Sequence, residues 1–167
     1  MTALRLAMRH PDLVRKLVVV SASYDNDGYY PSVVASWPTM SPQALAGTPM
    51  EQAYPQAAPN PDHWPVFVGK MQHALMDFQG WPAADIEAIK APALLVIGDA
   101  DIIRPEYAVG MFQLLGGARA DGGMGGAPRS QLAVLPATTH FGILYRTDLL
   151  LPVVTPFLDA PMPDANK

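Results

Sequence analysis

Apolar positions along this chain follow two periods. Near the amino terminus, Ala3, Leu4, Ala7 and Met8 recur at helical spacing, with Thr2 placed to cap the helix and His10 and Pro11 to end it. Leu17 to Val20 is a continuous, mostly β-branched run, which suits a strand buried on both faces of a parallel sheet. "ALLVIG" from Ala93 and "QLAVLP" from Gln131 read as two more such strands. Helical patterns separate them. "WPAADIEAIKAP" predicts a short helix with Ile86 and Ile89 inward, and "RPEYAVGMFQLLGG" predicts one opened by Pro105 and stopped by Gly116 and Gly117. A last helix is predicted from Thr147 to Leu158, followed by a frayed tail.

The stretch from Asn26 to Phe78 differs. Eight prolines fall between Pro31 and Pro65, a density that a regular sheet cannot hold. Short helices can hold it, because proline fits the first helical turn. Ser41 with Pro42, Thr48 with Glu51 three residues on, and Asn60 are candidate helix starts. After Asn60, the side chains of Trp64, Phe67, Val68, Met71 and Leu75 form one apolar helical face. The expected organisation is a core made of residues 1–25 and 79–167, with 26–78 as a small helical insertion. Strands alternating with helices imply an α/β fold with a parallel sheet.

Composition narrows the classes. Half of the 167 residues are hydrophobic and 16% are charged, so a packed core is expected rather than disorder. The net charge of −4 and the lack of a basic cluster argue against a nucleic-acid partner. With no cysteine there is neither a disulfide nor a thiolate metal site, which fits a reducing compartment. "FGILYRTDLLLPVVTPFL" is interrupted by Arg146, Asp148 and two prolines and falls short of the roughly 20 clean apolar residues of a membrane span. The first residues do not read as a secretion signal, so a cytoplasmic location is expected. The glycine-rich stretch "ARADGGMGGAPRS" lacks the lysine and the helix start of a phosphate-binding loop.

The chemistry lies at strand ends. Asp99 and Asp101 follow the second strand, and His140 follows the third in "QLAVLPATTHFG". Loops at the carboxyl ends of parallel strands share one edge of the sheet, where ligands bind. If the two strands are neighbours, Asp101 and His140 can meet. The acid then fixes the imidazole tautomer, and Nε2 is left to take a proton from a nucleophile. Asp99 is expected to hydrogen-bond backbone in its turn and stays the alternative acid. His10, His63 and His73 are read as structural or exposed. His63 and His73 lack the i, i+4 spacing of a helical metal site, so no metal and no cofactor is implied. Ser21 and Ser23 follow the first strand without the glycine-flanked turn of a nucleophile, and neither is assigned that role.

"PALLVIGDADIIRPE", then "LAVLPATTHF", resembles the carboxyl half of an α/β-hydrolase fold enzyme, and "TALRLAMRHPDLVRKLVVVSAS" resembles the helix and strand after that family's nucleophile turn. The resemblance covers nearly the whole chain, with the proline-rich insertion where the family carries its cap. It implies that Asp101 is the triad acid and His140 the triad histidine. It also implies an ester-like or apolar small-molecule substrate, hydrolysed through an acyl-enzyme intermediate. Tyr24, Trp64, Phe67, Met71 and Phe141 are the candidate substrate contacts. No G-x-S-x-G turn occurs in the sequence, so the nucleophile and its oxyanion donors are expected upstream of Met1. The rival readings are a relative with an aspartate nucleophile that opens epoxides or displaces halide, a cofactor-free haloperoxidase-like or lactone-cleaving enzyme, and a non-catalytic fragment or subunit. An exposed apolar strand at Leu17 to Val20 predicts self-association and poor solubility.

Overall fold

The computed structural model describes residues 1–118 and 128–162. Most of the glycine-rich stretch and the last five residues of the tail lie outside the described residues. The chain divides into two compact units, residues 1–29 with residues from 80 onward, and residues 30–79.

The first unit is built on a three-stranded parallel sheet in the order β1 (Leu17–Val20), β2 (Ala93–Ala100), β3 (Gln131–Thr139). Leu17 to Val20 pair with Ala93 to Val96, and Leu94 to Gly98 pair with Gln131 to Leu135. Side chains alternate across the sheet, so each strand feeds two cores. On one face Leu17, Val19, Ala93 and Leu95 meet α1 (Thr2–Arg9), α5 (Ala83–Glu87) and α6 (Pro105–Leu114) through Leu4, Ala7, Ile86, Met111 and Leu115. On the other face Leu94, Val96 and Leu135 meet Ile143 and Phe157, the latter on α7 (Thr147–Asp159). Helices thus cover both faces, which is the layering that parallel strands require.

β2 is the central strand, and Ala93 to Ile97 are all buried. Full burial of a Leu or Ile side chain contributes about 1.5–3 kcal/mol, so this strand anchors the unit. β1 is less enclosed than its sequence predicts. Only Leu17 and Val19 are buried, because β1 is an edge strand and Val18 and Val20 are covered in part. A groove of about 420 Å³ runs beside this open edge, lined by Leu6, Leu13, Leu17, Val18 and Leu158 among others. Lys16 fastens β1 to the end of α7. Its ammonium donates to the carbonyls of Phe157 (2.6 Å), Leu158 (2.9 Å) and Ala160, which the helix terminus leaves without intrahelical partners.

Residues 26–29 belong with the sheet rather than with the insertion. The turn Asn26–Gly28 is held when Arg104 donates its backbone N–H to Gly28 O (2.8 Å) and its guanidinium to Asp27 O. Two local expectations are corrected. Thr2 is the first helical residue and not the cap, with Met1 at the cap position. β2 and β3 each run past the predicted apolar segment, to Ala100 and Thr139, because backbone pairing continues after burial ends. A turn of four residues, Gly142–Tyr145, stands between β3 and α7.

The second unit holds α2 (Pro31–Ser36), α3 (Pro49–Ala57) and α4 (Trp64–Asp77). Each opens with proline in its first turn. Thr48 caps α3 by accepting from Glu51 N (3.4 Å). The Glu51 carboxylate reaches back to Gly47 N (2.7 Å), one residue earlier than a standard capping box. Ser41 starts no helix. It accepts from Ala44 N in a run of turns that ends at Gly47, whose φ of +76° breaks any helical path. Asn60 heads a short turn, Pro61–His63, and α4 begins after it. On α4, Val68 is the buried residue, Trp64, Met71 and Leu75 are half-buried, and Phe67 is exposed. No described helix is long and apolar enough to cross a membrane.

Candidate active site

The site forms where the three strands end. At the end of β2 the register with β3 shifts between Gly98 and Ala100. Gly98 permits this, since a Cβ there would lie 1.9 Å from Thr138 O. Ala137 on β3 takes a φ of +49°, which turns its N–H and that of Thr138 out of the ladder. Asp99 collects both, with Oδ2 accepting from Ala137 N at 2.9 Å and Oδ1 from Thr138 N at 3.0 Å. These two hydrogen bonds hold the Asp99 carboxyl below its ordinary pKa. Arg146 supports the same bend by donating to Pro136 O, Ala137 O and Thr138 Oγ1. The shifted end of β3 then leads directly into His140.

Asp101 lies one residue beyond β2, and its side chain has no exposed surface. A buried carboxylate is costly unless its oxygens are satisfied, and here four donors converge on it. Oδ1 accepts from Ile103 N at 3.2 Å and stands 2.8 Å from His140 Nδ1. Oδ2 accepts from Ser21 Oγ at 2.5 Å and from Gly98 N at 3.2 Å. Burial raises the Asp101 pKa, but the hydrogen bonds from His140, Ser21 and Ile103 outweigh it and hold the carboxyl below its ordinary value. An ionised carboxylate only accepts, so His140 Nδ1 carries the proton and Nε2 is the basic nitrogen. The imidazole side chain is 23% exposed, which leaves it reachable. The ring of Phe141 stands edge-on to it, centroids 5.0 Å apart at 81°.

The pair expected from the sequence is therefore brought together. Asp99 does hydrogen-bond backbone, chiefly across to β3, because the register shift presents two free N–H groups there. Ser21 is the residue that sequence reasoning undervalued. It ends β1, donating its N–H to Val96 O at 2.8 Å, and takes a φ of +47°. A non-glycine residue in that region costs about 1–2 kcal/mol. A hydrogen bond to a charged group contributes about 1.5–3 kcal/mol, so the carboxylate contact outweighs the strain. With its proton committed to Asp101, the Ser21 hydroxyl does not face the imidazole as a nucleophile. Among the described residues none is hydrogen-bonded to His140 Nε2.

The candidate substrate contacts are divided between the two units, Tyr24 and Phe141 in the first and Trp64, Phe67 and Met71 in the second. Phe141 is beside the imidazole and 44% exposed. Tyr24 packs on the sheet core and against the Tyr107 ring at 5.0 Å. Trp64 and Phe67 belong to the second unit, where they stack at 5.8 Å and share contacts with Tyr54, at 5.3 and 5.1 Å. Met71 is half-buried in the same unit. Tyr54 gave no sequence signal, as it falls outside the α4 stripe. His10, His63 and His73 are exposed. Among the described residues no group of three or more acidic or histidine side chains gathers as a metal site.

No family sequence model matches the chain, and no curated protein does. Solved structures do match it. A serine hydrolase involved in carbazole degradation superposes with a TM-score of 0.61 at 15% identity, over 94% of this chain and 58% of that one. A meta-cleavage product hydrolase from Pseudomonas fluorescens IP01 gives 0.64 at 16%, over 93% and 60%. An α/β hydrolase from a Medee basin deep-sea metagenome gives 0.63 at 16%, over 99% and 63%. The chain thus spans about three fifths of the length of the structures it resembles. With its parallel three-stranded sheet covered by helices on both faces, the chain carries part of an α/β-hydrolase fold.

Proposed function

We propose that this chain supplies the acid–base part of a hydrolase acting on an ester-like small molecule through a Ser-His-Asp mechanism, the serine coming from polypeptide beyond these 167 residues. The observation that carries the reading is the buried contact between Asp101 Oδ1 and His140 Nδ1, 2.8 Å long and backed by three further donors on the same carboxylate. Superposition on hydrolases of known structure agrees with it. Asp101 fixes the tautomer and stabilises the imidazolium without taking its proton. His140 Nε2 removes the proton from the serine as it attacks the ester carbonyl, then returns that proton to the leaving alcohol. In the second half it deprotonates the water that attacks the acyl-enzyme carbonyl, then gives that proton to the departing serine oxygen, which releases the acid and restores the free hydroxyl. Phe141, exposed beside the imidazole, is the proposed apolar contact for the substrate.

The test is hydrolysis of a p-nitrophenyl ester by a polypeptide extended with the in-frame coding sequence upstream of Met1. His140→Ala is expected to lower kcat by about 10²–10⁴-fold, the usual contribution of a positioned general base. Equal rates for the two proteins, both folded by circular dichroism, overturn the proposal.

A further inference from the structure

We propose that Ser21 is a positioning residue of the site, whose hydroxyl orients the Asp101 carboxylate so that Oδ1 faces His140. The inference rests on the acid–base reading above and adds a third side chain to it.

The geometry is specific. A carboxylate turns about its Cβ–Cγ bond unless both oxygens are held. Backbone N–H groups hold one side of each oxygen, Ile103 N on Oδ1 and Gly98 N on Oδ2, each at 3.2 Å. Two side chains complete the set. His140 takes Oδ1, and Ser21 at 2.5 Å takes Oδ2. Among the described residues, Ser21 is thus the side-chain donor on the oxygen that the imidazole does not use. Its contact is also the shortest of the four, as befits an O–H donor on a charged oxygen.

The backbone at Ser21 points the same way. β1 ends in a left-handed turn at φ +47°, a conformation for which glycine is the ordinary choice. A serine there supplies a hydroxyl, which glycine lacks, and the turn aims it at the acid. Strained conformations persist at sites where surrounding contacts hold them. In this case the holding contacts are the Val96 carbonyl on the Ser21 N–H and the Asp101 carboxylate on its Oγ.

Ser21→Gly separates the two roles, because glycine accepts the turn without strain and deletes only the hydroxyl. The readout is nitrogen and proton NMR of ¹⁵N-histidine-labelled protein, with His140 assigned by its loss in His140→Ala. The wild-type chain is expected to show a downfield, slowly exchanging Nδ1 proton on His140. In Ser21→Gly this resonance should weaken or vanish and the Nε2–H tautomer should rise, with the unfolding midpoint lowered by no more than about 4 °C, because relief of the left-handed strain offsets most of the lost hydrogen bond. In the ester-hydrolysing polypeptide the same change should lower kcat by about tenfold and leave KM in place. If the wild type shows the bonded proton and Ser21→Gly keeps it unchanged, the role of Ser21 is refuted while the Asp101–His140 pair stands. If the wild type shows no bonded Nδ1 proton, the pair is refuted and the role of Ser21 with it.

Discussion

Replacing Gly98 with alanine probes the link between the sheet and the site. The added Cβ would fall 1.9 Å from Thr138 O and 2.7 Å from Thr138 C. That is about 1.5 Å short of ordinary contact. The obstacle is backbone, so no rotamer change relieves it, and β2 and β3 must move apart at the register shift. Overpacking against a rigid neighbour costs about 1–3 kcal/mol, and this case belongs at the upper end. In a domain of this size each kcal/mol lowers Tm by about 2–4 °C, so a drop of roughly 6–12 °C is expected. The strand movement also takes Ala137 N and Thr138 N away from Asp99 and carries His140 off Asp101. Thermal unfolding followed by circular dichroism measures the first effect, and the His140 Nδ1 proton measures the second. Gly110→Ala is the control, since a Cβ on that helical glycine meets nothing within 4 Å. It should be neutral or stabilising by up to about 1 kcal/mol. An unchanged Tm for Gly98→Ala, or equal losses for both variants, would refute the close approach of the strands.

Other expectations concern charge and the open edge. Folding lowers the Asp101 pKa from its ordinary 3.8, so the carboxylate's contribution to stability is complete above that pH and is lost as pH falls through the depressed value. Urea titrations should therefore show Asp101→Asn less stable than wild type by about 1–3 kcal/mol at pH 7, with the gap narrowing below pH 3.8. Lys16→Met removes the ammonium from the end of α7 and should cost about 1 kcal/mol, with faster amide exchange in the last turn of that helix and a normal rate at β2. Self-association through the β1 edge should appear in sedimentation velocity as a concentration-dependent rise in mass. Leu13, 74% exposed beside the edge groove, is the place to oppose it, and Leu13→Glu should reduce the larger species while leaving Tm within about 1 °C.

What could be read from the chain itself depended on how local each cause was. The apolar run from Leu94 to Ile97 announced a central strand, because burial on both faces leaves no polar position in the pattern. Ile86 gave away the inner side of a short helix, while Ile89, expected on the same helix, lies two residues past its end and is buried there; the Thr48–Glu51 spacing marked a helix start that the structure contains. Asp101 and His140 were legible as a pair only through their places at two strand ends. Ser21 was not legible, since a left-handed serine has no sequence signature and its partner lies 80 residues away. The role of Asp99 was hidden for a similar reason: it answers a register shift that Gly98 and Ala137 create jointly. In the proline-rich segment, turn signals outnumbered helix signals. Ser41 was read as a helix start where Gly47 closes the turn, and Pro31–Ser36 was passed over.

Ser21, Asp101 and His140 stand at the ends of three different strands, one strand each. A relay strung in that way has no local version, because no two of its members share a hairpin or a helix. The sheet must be aligned across its full width before the imidazole acquires its proton on the correct nitrogen. Competence at this site is thus a gauge of how well the sheet has assembled, and a chain whose strands have slipped would be chemically silent however compact it became.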